Sequence, residues 1–144
     1  MDIDKAINHL QKVDSRMKTL IKKYGHPKFS PIDNYFEALI KSIVSQQIST
    51  TAASAIYNRF KTLFNGDHFP NPKNVLAVKD EKLMSVGLSR QKIKYIKDLS
   101  NKWDQIEIKL SNIKLMTDQE IRDILLDVKG IGQWTVDMFL IFSL

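Results

Sequence analysis

Residues 125–139 read LLDVKGIGQWTVDMF and indicate, more than any other segment, how the chain folds. The apolar residues before the glycines recur at helical spacing, and a second helical segment runs from about Gln133 to the end. Between them, Gly130 and Gly132 bound a tight turn. Glycine permits backbone angles closed to other residues and leaves the turn without side-chain bulk. The stretch therefore predicts two helices joined by a short, glycine-bounded turn.

Such a turn is suited to binding an anion. The N–H groups that begin the second helix have no partner within the helix and carry partial positive charge, and glycines let a phosphate approach the main chain. A simple turn between antiparallel helices uses the same glycines, so the Gly-x-Gly pattern alone leaves both interpretations open. The amphipathic helix before the turn, and Trp134 and Thr135 after it, favour a phosphate site.

Helical periodicity extends over the rest of the chain. Apolar residues recur every three or four positions, and no segment shows the alternation of a half-buried strand. One apolar stripe predicts helix over residues 3–24, and further helices are predicted to start at Asn34 and to cover residues 51–64 and about 80–85. Ser89 is the predicted N-cap of the next helix. The helix after it is predicted to start at Thr117, where Glu120 completes a capping box. A loop is predicted over residues 65–73. The sequence predicts an all-α fold in a single domain, residues 1–144, with the hairpin at about 118–144.

Composition excludes several classes of site. The 144 residues contain no cysteine, which excludes a thiolate zinc site, a cysteine nucleophile and a cysteine-held iron–sulfur cluster within them. The three histidines lie far apart along the chain. No apolar run approaches the ~20 residues that span a bilayer, and the acidic start does not resemble a secretory signal. We expect an intracellular protein without a membrane partner.

The net charge of +6 is concentrated in two segments. Residues 1–30 carry 7 basic and 3 acidic side chains, and residues 89–109 carry 6 basic and 3 acidic side chains. Such clustering is what a polyanion-binding face requires. Lysine-rich, solvated helix faces give the same pattern, so charge by itself leaves both interpretations open.

The end of the sequence is unusual for a helix terminus. Residues 138–144 read MFLIFSL, almost wholly apolar, without a glycine, asparagine or terminal basic residue to end the helix. Helices that are apolar on all sides are normally buried. One interpretation is that the natural chain continues past Leu144 and completes a core around this helix. The alternative is a natural terminus packed against a partner.

Three segments, in order, carry a resemblance to a known family. Residues 43–49 (IVSQQIS), 87–95 (GLSRQKIKY) and 128–136 (VKGIGQWTV) resemble the helix-hairpin-helix DNA base-excision glycosylase superfamily, in particular its 3-methyladenine DNA glycosylase II branch. The resemblance implies an all-α, helix-hairpin-helix bundle of two lobes with a DNA-facing cleft. Here the second lobe is mostly present, and the first, which residues 1–24 would share with a later helix, is incomplete.

The resemblance implies specific contacts at the hairpin. Main-chain amides from Gly130 to Gln133, through Ile131 and Gly132, would hold a phosphate together with the Thr135 hydroxyl. Lys129 stands where many family members have proline and adds a positive charge beside that phosphate. A monovalent cation, with no other cofactor required, would be held by the main-chain carbonyls of Leu126, Val128 and Ile131. Ordinary helix-end carbonyls facing water are the alternative.

A second set of contacts follows from the upstream segments. An enzyme that acts on a base inside a duplex must extrude it and fill the gap. The resemblance makes Gln47 the wedge, supported by Gln46 and Ile48, although adjacent glutamines are also common on surfaces. Arg90 and Lys92 would follow the DNA backbone through their charge, or are simply solvated. Residues 49–51 (STT) would bind phosphate or cap the next helix.

Trp134 distinguishes two reaction types. Family members that also cleave the DNA strand carry a lysine here, which attacks the sugar as an amine nucleophile. Tryptophan has no amine, so the resemblance implies a monofunctional glycosylase that uses water. The indole would line the base pocket and stack on an electron-poor alkylated base, with Met138 one turn further on the same wall. A core tryptophan, with Met138 packed beside it, is the alternative.

The catalytic aspartate of the family is expected after Leu144, where it would stabilise positive charge on the sugar. Asp127 and Asp137 do not match its position, and we assign neither a catalytic role. The resemblance thus implies a base-excision repair enzyme for alkylated purines such as 3-methyladenine, acting as a monomer on double-stranded DNA, with the 144 residues alone inactive. A non-catalytic duplex-binding module is the first alternative. A helical protein whose partner covers residues 138–144 is the second.

Overall fold

The computed structural model describes residues 3–26, 32, 34–64 and 68–144. Within these ranges the chain forms nine α-helices and a 3-10 turn, Ile113–Leu115, and no strand, which confirms the predicted all-α class. The helices are α1 Ile3–Val13, α2 Ser15–Tyr24, α3 Tyr35–Ser45, α4 Thr50–Lys61, α5 Pro72–Ala77, α6 Asp80–Ser85, α7 Arg90–Lys109, α8 Asp118–Leu125 and α9 Gln133–Ser143.

Polar side chains begin the helices that the sequence predicted. At the start of α3, the Asn34 side chain accepts a hydrogen bond of 3.0 Å from the backbone N–H three residues later. At the start of α7, Ser89 accepts the equivalent bond at 3.3 Å. Thr117 and Glu120 form the predicted capping box at α8. Each cap satisfies donors that the helix itself leaves unpaired, so these predictions are confirmed.

The single apolar stripe predicted over residues 3–24 is divided between two helices. The Asp14 side chain accepts hydrogen bonds from the Arg16 and Met17 N–H groups, at 2.7 and 3.1 Å, and so starts α2. The two helices pack on each other. Of their residues only Ile7 is buried, and Ile3, Met17 and Ile21 are partly buried. The stripe's remaining large apolar side chains are exposed in the described part of the chain: Leu10, Val13, Leu20 and Tyr24.

One helix was missed by the sequence analysis. The loop predicted to run to Lys73 ends earlier, because Asn71 caps α5 and Pro72 occupies its first position. Proline is favoured there, since its missing N–H would be unpaired in any case. Residues 65–67 of that loop lie outside the described residues.

The long helix α7 is the centre of the bundle and packs against α3, α5, α6 and α8. Leu99 on α7 is fully buried, and the rings of Trp103 and Phe36 lie 5.0 Å apart between their centroids. Helix α9 in turn packs against α3 and α8. The core is made by Leu39, Ile40, Ile43, Val44, Phe60, Val75, Leu83, Ile93, Ile96, Leu99, Ile121, Leu125 and Val136.

Only one side of α9 lies in this core. Val136, Phe139 and Ser143 are buried, whereas Ile141 and Phe142 are 41% and 53% exposed. A helix buried on all sides was expected. Within the described residues, only one face of α9 is buried. Among the helices of those residues, none is both long and apolar enough to cross a membrane.

The capping box predicts a pH-dependent contribution to stability. Hydrogen bonds from the Thr117 N–H and hydroxyl lower the pKa of Glu120 in the folded protein. Its stabilising effect is therefore complete above the usual glutamate pKa and is lost as the pH falls through the lowered value. Glu120→Gln should reduce the urea midpoint at neutral pH, with the difference from wild type vanishing in acid.

Glu107→Gln is the control, because it removes the same charge from an exposed side chain on α7 that caps no helix. The assignment is contradicted if Glu120→Gln and wild type differ by the same midpoint shift at every pH.

Candidate nucleic-acid interface

The turn between α8 and α9 is closed by its own backbone. The Val128 N–H donates to the Leu125 carbonyl, and the Ile131 N–H donates to the Val128 carbonyl, both at 3.1 Å. The Val128 and Ile131 side chains are both buried and anchor the turn in the core. The predicted helix–turn–helix of residues 118–144 is present, with its exposed backbone lying between two apolar anchors.

The two glycines of the turn have different roles. Gly130 has φ +85°, a left-handed conformation, and a Cβ built there would overlap the ring of Tyr95. Gly132 has φ −104°, which any residue can adopt, and a Cβ there would meet nothing within 4 Å. The prediction that both glycines supply special backbone angles is wrong for Gly132. Its missing side chain instead leaves open space in front of the backbone.

The start of α9 offers amide donors at this open space. Gly132 is the N-cap, and among the described residues no side chain caps the helix from this position. Helices leave their first N–H groups without internal acceptors, and the partial positive charge of the helix dipole adds to them. Gln133 is exposed, and the Lys129 side chain lies exposed on the approach to the turn. The arrangement can bind an anion such as a phosphate oxygen.

Side chains of helix α7 contact the turn. The Asp98 carboxylate accepts a 2.8 Å hydrogen bond from the Lys129 N–H. Lys102 lies 3.3 Å from Asp98 and donates to the Asp127 carbonyl at 2.5 Å. With Tyr95, which lies against Gly130, these side chains form one stripe along α7 at spacings of three and four residues.

Sequence reasoning missed this stripe, which we call the α7 seat: Tyr95, Asp98 and Lys102. Their spacing on one helix face was visible, but nothing in the sequence showed that the hairpin covers that face.

Gln46 joins the end of α3 to the hairpin. Its side-chain Nε2 donates to the Gly130 carbonyl at 2.8 Å and lies 3.4 Å from the Thr135 hydroxyl. Two segments predicted separately from the sequence are therefore in direct contact. Thr135 is only 4% exposed, so its hydroxyl faces Gln46 rather than open solvent. The phosphate contact predicted for that hydroxyl stays a prediction, and the main-chain amides are better exposed for the task.

The next residue, Gln47, has an uncommon backbone conformation. Its φ of +57° is left-handed, which is unfavourable for residues other than glycine and costs about 1–3 kcal/mol. Gln47 is exposed, and Ile48 beside it is 38% exposed. Strained residues cluster at functional positions, where the surrounding structure holds them in place. We call residues 46–48 the Gln loop.

The two basic side chains predicted to follow the DNA backbone, Arg90 and Lys92, have different surroundings. Arg90, at the first position of α7, is exposed. Lys92 is instead directed to the end of α3, where its Nζ donates to the Val44 carbonyl at 2.6 Å. Burial lowers the pKa of Lys92. Ser49, among the residues predicted to bind phosphate or cap a helix, caps α4 by accepting from the Ala52 N–H at 3.3 Å.

Trp134 is not a core tryptophan. It is 65% exposed at the second position of α9, and Met138 one turn later is half-buried. Within the described residues Trp134 therefore does not pack in the core. Its role as a stacking surface for a base stays a prediction.

The two aspartates near the hairpin have structural partners. Asp137 forms an ion pair with Arg122, which ties α9 to α8, and lies 3.4 Å from the Gln133 side-chain amide. Asp127 lies 3.5 Å from the Lys102 ammonium. Asp137 thus links the two helices of the hairpin, and Asp127 lies beside a lysine of α7. That neither aspartate is catalytic stays a prediction.

The predicted cation ligands lie in the same turn. Carbonyl oxygens suit small hard cations, and each carries two lone pairs. The Val128 carbonyl uses one lone pair for the Ile131 N–H and retains the other. The carbonyls of Leu126, Val128 and Ile131 are therefore chemically suited to a monovalent cation.

Comparison with known proteins places this geometry in a family. Residues 40–136 match the family described as HhH-GPD superfamily base excision DNA repair protein. DNA-3-methyladenine glycosylase 1 of Schizosaccharomyces pombe is 33% identical, covering 99% of this chain and 64% of that protein. Alkylbase DNA glycosidase-like protein mag2 of the same organism is 34% identical, covering 99% and 69%. The chain thus spans about two thirds of the length of these relatives.

Solved structures show the same architecture. A 3-methyladenine DNA glycosylase of Schizosaccharomyces pombe in complex with abasic DNA superposes with a TM-score of 0.85 at 34% identity, covering 96% of this chain and 69% of that one. A DNA-3-methyladenine glycosidase from Bacillus halodurans superposes with a TM-score of 0.80 at 34% identity, covering 99% and 64%.

The different roles of the two glycines predict different stabilities. Gly130→Ala should destabilise the protein by about 3 kcal/mol or more, because it forces a left-handed alanine against the Tyr95 ring. Gly132→Ala should cost less than about 1 kcal/mol, the difference between glycine and alanine at an N-cap. Urea unfolding followed by circular dichroism measures both. Equal losses of stability in the two variants would contradict the geometry.

Proposed function

The chain belongs to the HhH-GPD superfamily of base excision DNA repair proteins, and on this basis we propose that it is the DNA-binding and base-binding part of a monofunctional DNA glycosylase. The proposed reaction is hydrolysis of the N-glycosidic bond of alkylated purines such as 3-methyladenine. The observation that carries the proposal is the hydrogen bond from Gln46 to the Gly130 carbonyl, because it joins an exposed, strained loop to the anion-binding hairpin.

The hairpin is proposed to hold one DNA phosphate. Among residues 130–133, the Ile131 N–H already donates to the Val128 carbonyl, so the proposed donors are the amides of Gly130, Gly132 and Gln133, which ignore base identity. The open space in front of Gly132 admits the phosphate oxygen. Arg90 and Lys129 add charge along the backbone. A monovalent cation bound by the carbonyls of Leu126, Val128 and Ile131 would contribute a positive charge on the same side of the turn.

The Gln loop is proposed to open the duplex. Extruding a base leaves a gap that an inserted side chain must fill. Gln47 is exposed and has a left-handed backbone conformation. Gln46 and Ile48 support it, the first through the hairpin. Opening the duplex and holding its phosphate thus depend on one connected unit.

Trp134 is proposed to hold the extruded base. Its exposed indole can stack on an alkylated purine, whose positive charge strengthens the attraction to the ring face. Met138 continues this wall. The position carries no amine, so the strand-cleaving reaction through a covalent amine intermediate is not available, and water is the proposed nucleophile.

The 144 residues by themselves are proposed to bind DNA without releasing a base. Asp137 is paired with Arg122, and Asp127 lies 3.5 Å from Lys102; neither matches the position that the family resemblance implies for the catalytic aspartate. We propose that the protein binds double-stranded DNA as a monomer, inside the cell, where its substrate lies. The absence of a matching catalytic aspartate among these residues favours a second candidate function, a duplex-binding module without catalysis.

Binding of the 144-residue chain to undamaged duplex is the first test. The affinity should fall linearly on a plot of log K against log salt concentration, as phosphate neutralisation requires. Gly132→Val should lower the affinity about tenfold by blocking the amide site, with the salt slope retained. Ser111→Val, at the far end of α7, is the control. Salt-independent binding, or an unaffected Gly132→Val variant, would contradict the phosphate site.

Base release by the natural protein is the second test. DNA carrying 3-methyladenine should yield the free base, and Trp134→Ala should lower kcat/KM about 10- to 100-fold, the value of one base–aromatic stack. Leu115→Ala removes another exposed apolar side chain and should change nothing. Absence of release by a folded protein that binds duplex would overturn the enzyme assignment and favour the binding module.

A further inference from the structure

Lys92 lies in a basic helix, yet its ammonium group contacts the backbone of α3. Its Nζ donates a 2.6 Å hydrogen bond to the Val44 carbonyl, in the last turn of α3. Carbonyls at a helix C-terminus lack internal donors and carry partial negative charge, so an ammonium group there is doubly favourable. The contact joins the start of α7 to the end of α3, two residues before the Gln loop.

The Gln loop needs such support because Gln47 is strained. On one side, the Gln46 N–H donates to the Ile43 carbonyl at 3.3 Å, which continues the last turn of α3 into the loop. On the other side, the Gln46 side chain reaches the hairpin at Gly130. A left-handed glutamine persists only where its neighbours over-determine the backbone. The end of α3 is the segment from which the loop departs, and Lys92 binds that segment.

We infer that Lys92 is a positioning residue for the Gln loop, holding the last turn of α3 so that Gln47 projects in a single direction. This inference rests on the proposed function in one respect, since it takes Gln47 as the group that enters the duplex. A positioning role and a phosphate contact predict different effects when Lys92 is replaced. A phosphate contact affects binding to every duplex, whereas positioning affects the step that requires Gln47.

Two substitutions on the same helix separate these roles. Lys92→Met keeps the length of the side chain but removes its charge and its donors. Lys94→Met makes the same chemical change at an exposed position two residues further along α7 and is the matched control. Lys92→Arg keeps a charge and a donor on a flexible stem.

The first measurement uses the free protein and needs no DNA. Hydrogen exchange of the backbone amides of residues 44–46, which are bonded in the last turn of α3, should be about tenfold faster in Lys92→Met, the scale of one charge-assisted hydrogen bond. Exchange there should be unchanged in Lys94→Met and close to wild type in Lys92→Arg. Unchanged exchange in Lys92→Met, or equal acceleration in Lys94→Met, overturns the inference.

The second measurement compares intact duplex with a duplex containing a tetrahydrofuran abasic site, which offers a ready gap for Gln47. Lys92→Met should reduce the preference for the abasic duplex about tenfold, as should Gln47→Ala, with intact-duplex affinity and its salt slope unchanged. If Lys92→Met instead weakens both duplexes equally and lowers the salt slope by about one, Lys92 is a phosphate contact and the inference is overturned.

The two measurements distinguish failure of the inference from failure of the proposed function. Faster exchange in Lys92→Met, together with a Gln47→Ala variant that keeps the full abasic preference, supports the positioning role and contradicts Gln47 as the wedge. Unchanged exchange in Lys92→Met, together with a Gln47→Ala variant that loses the preference, supports the wedge and overturns the role of Lys92.

Discussion

Gly130 lies directly against the ring of Tyr95, and the hairpin can rest on α7 only because this residue has no side chain. The close approach brings the neighbouring Lys129 N–H to the Asp98 carboxylate and directs the Gly130 carbonyl to the Gln46 side chain. The anion-binding turn and the Gln loop are therefore placed relative to each other through one residue. A shift of the turn away from the α7 seat would separate them.

This dependence explains why the exposed part of the site can be unusual. Trp134 is an exposed indole and Gln47 a left-handed glutamine, and each is unfavourable when considered alone. Both adjoin elements that the core holds firmly, with Val128 and Ile131 buried on the hairpin side and Val44 buried at the end of α3. Rigid packing below the surface keeps these unfavourable features in place.

Local signals in the sequence were sufficient for much of this structure. Caps at Asn34, Ser89 and Thr117 predicted three helix starts, because each cap is a contact between neighbours in the sequence. The hairpin was predicted for the same reason. The division at Asp14 was missed, since the apolar spacing continues across it and only the aspartate's bonds to the following amides reveal the break.

The long-range contacts of the site could not be predicted in this way. Whether Gly132 needed its glycine for backbone angle or for open space depends on its φ, which the Gly-x-Gly pattern does not determine. Lys92 was expected either to follow the DNA backbone or to be solvated, because it lies in a basic helix, and its partner, Val44, is 48 residues away in the sequence. The α7 seat has the spacing of any helix face. Its role appears only when α8 and α9 cover it.

The most direct test of the account is a crystal structure of the protein bound to duplex DNA that contains a tetrahydrofuran abasic site. The account predicts a phosphate oxygen within hydrogen-bond distance of the amides of residues 130–133 and the Gln47 side chain in the gap at the abasic position. DNA bound along another face, such as the basic surface of α1 and α2, with the hairpin turned to solvent, would contradict it.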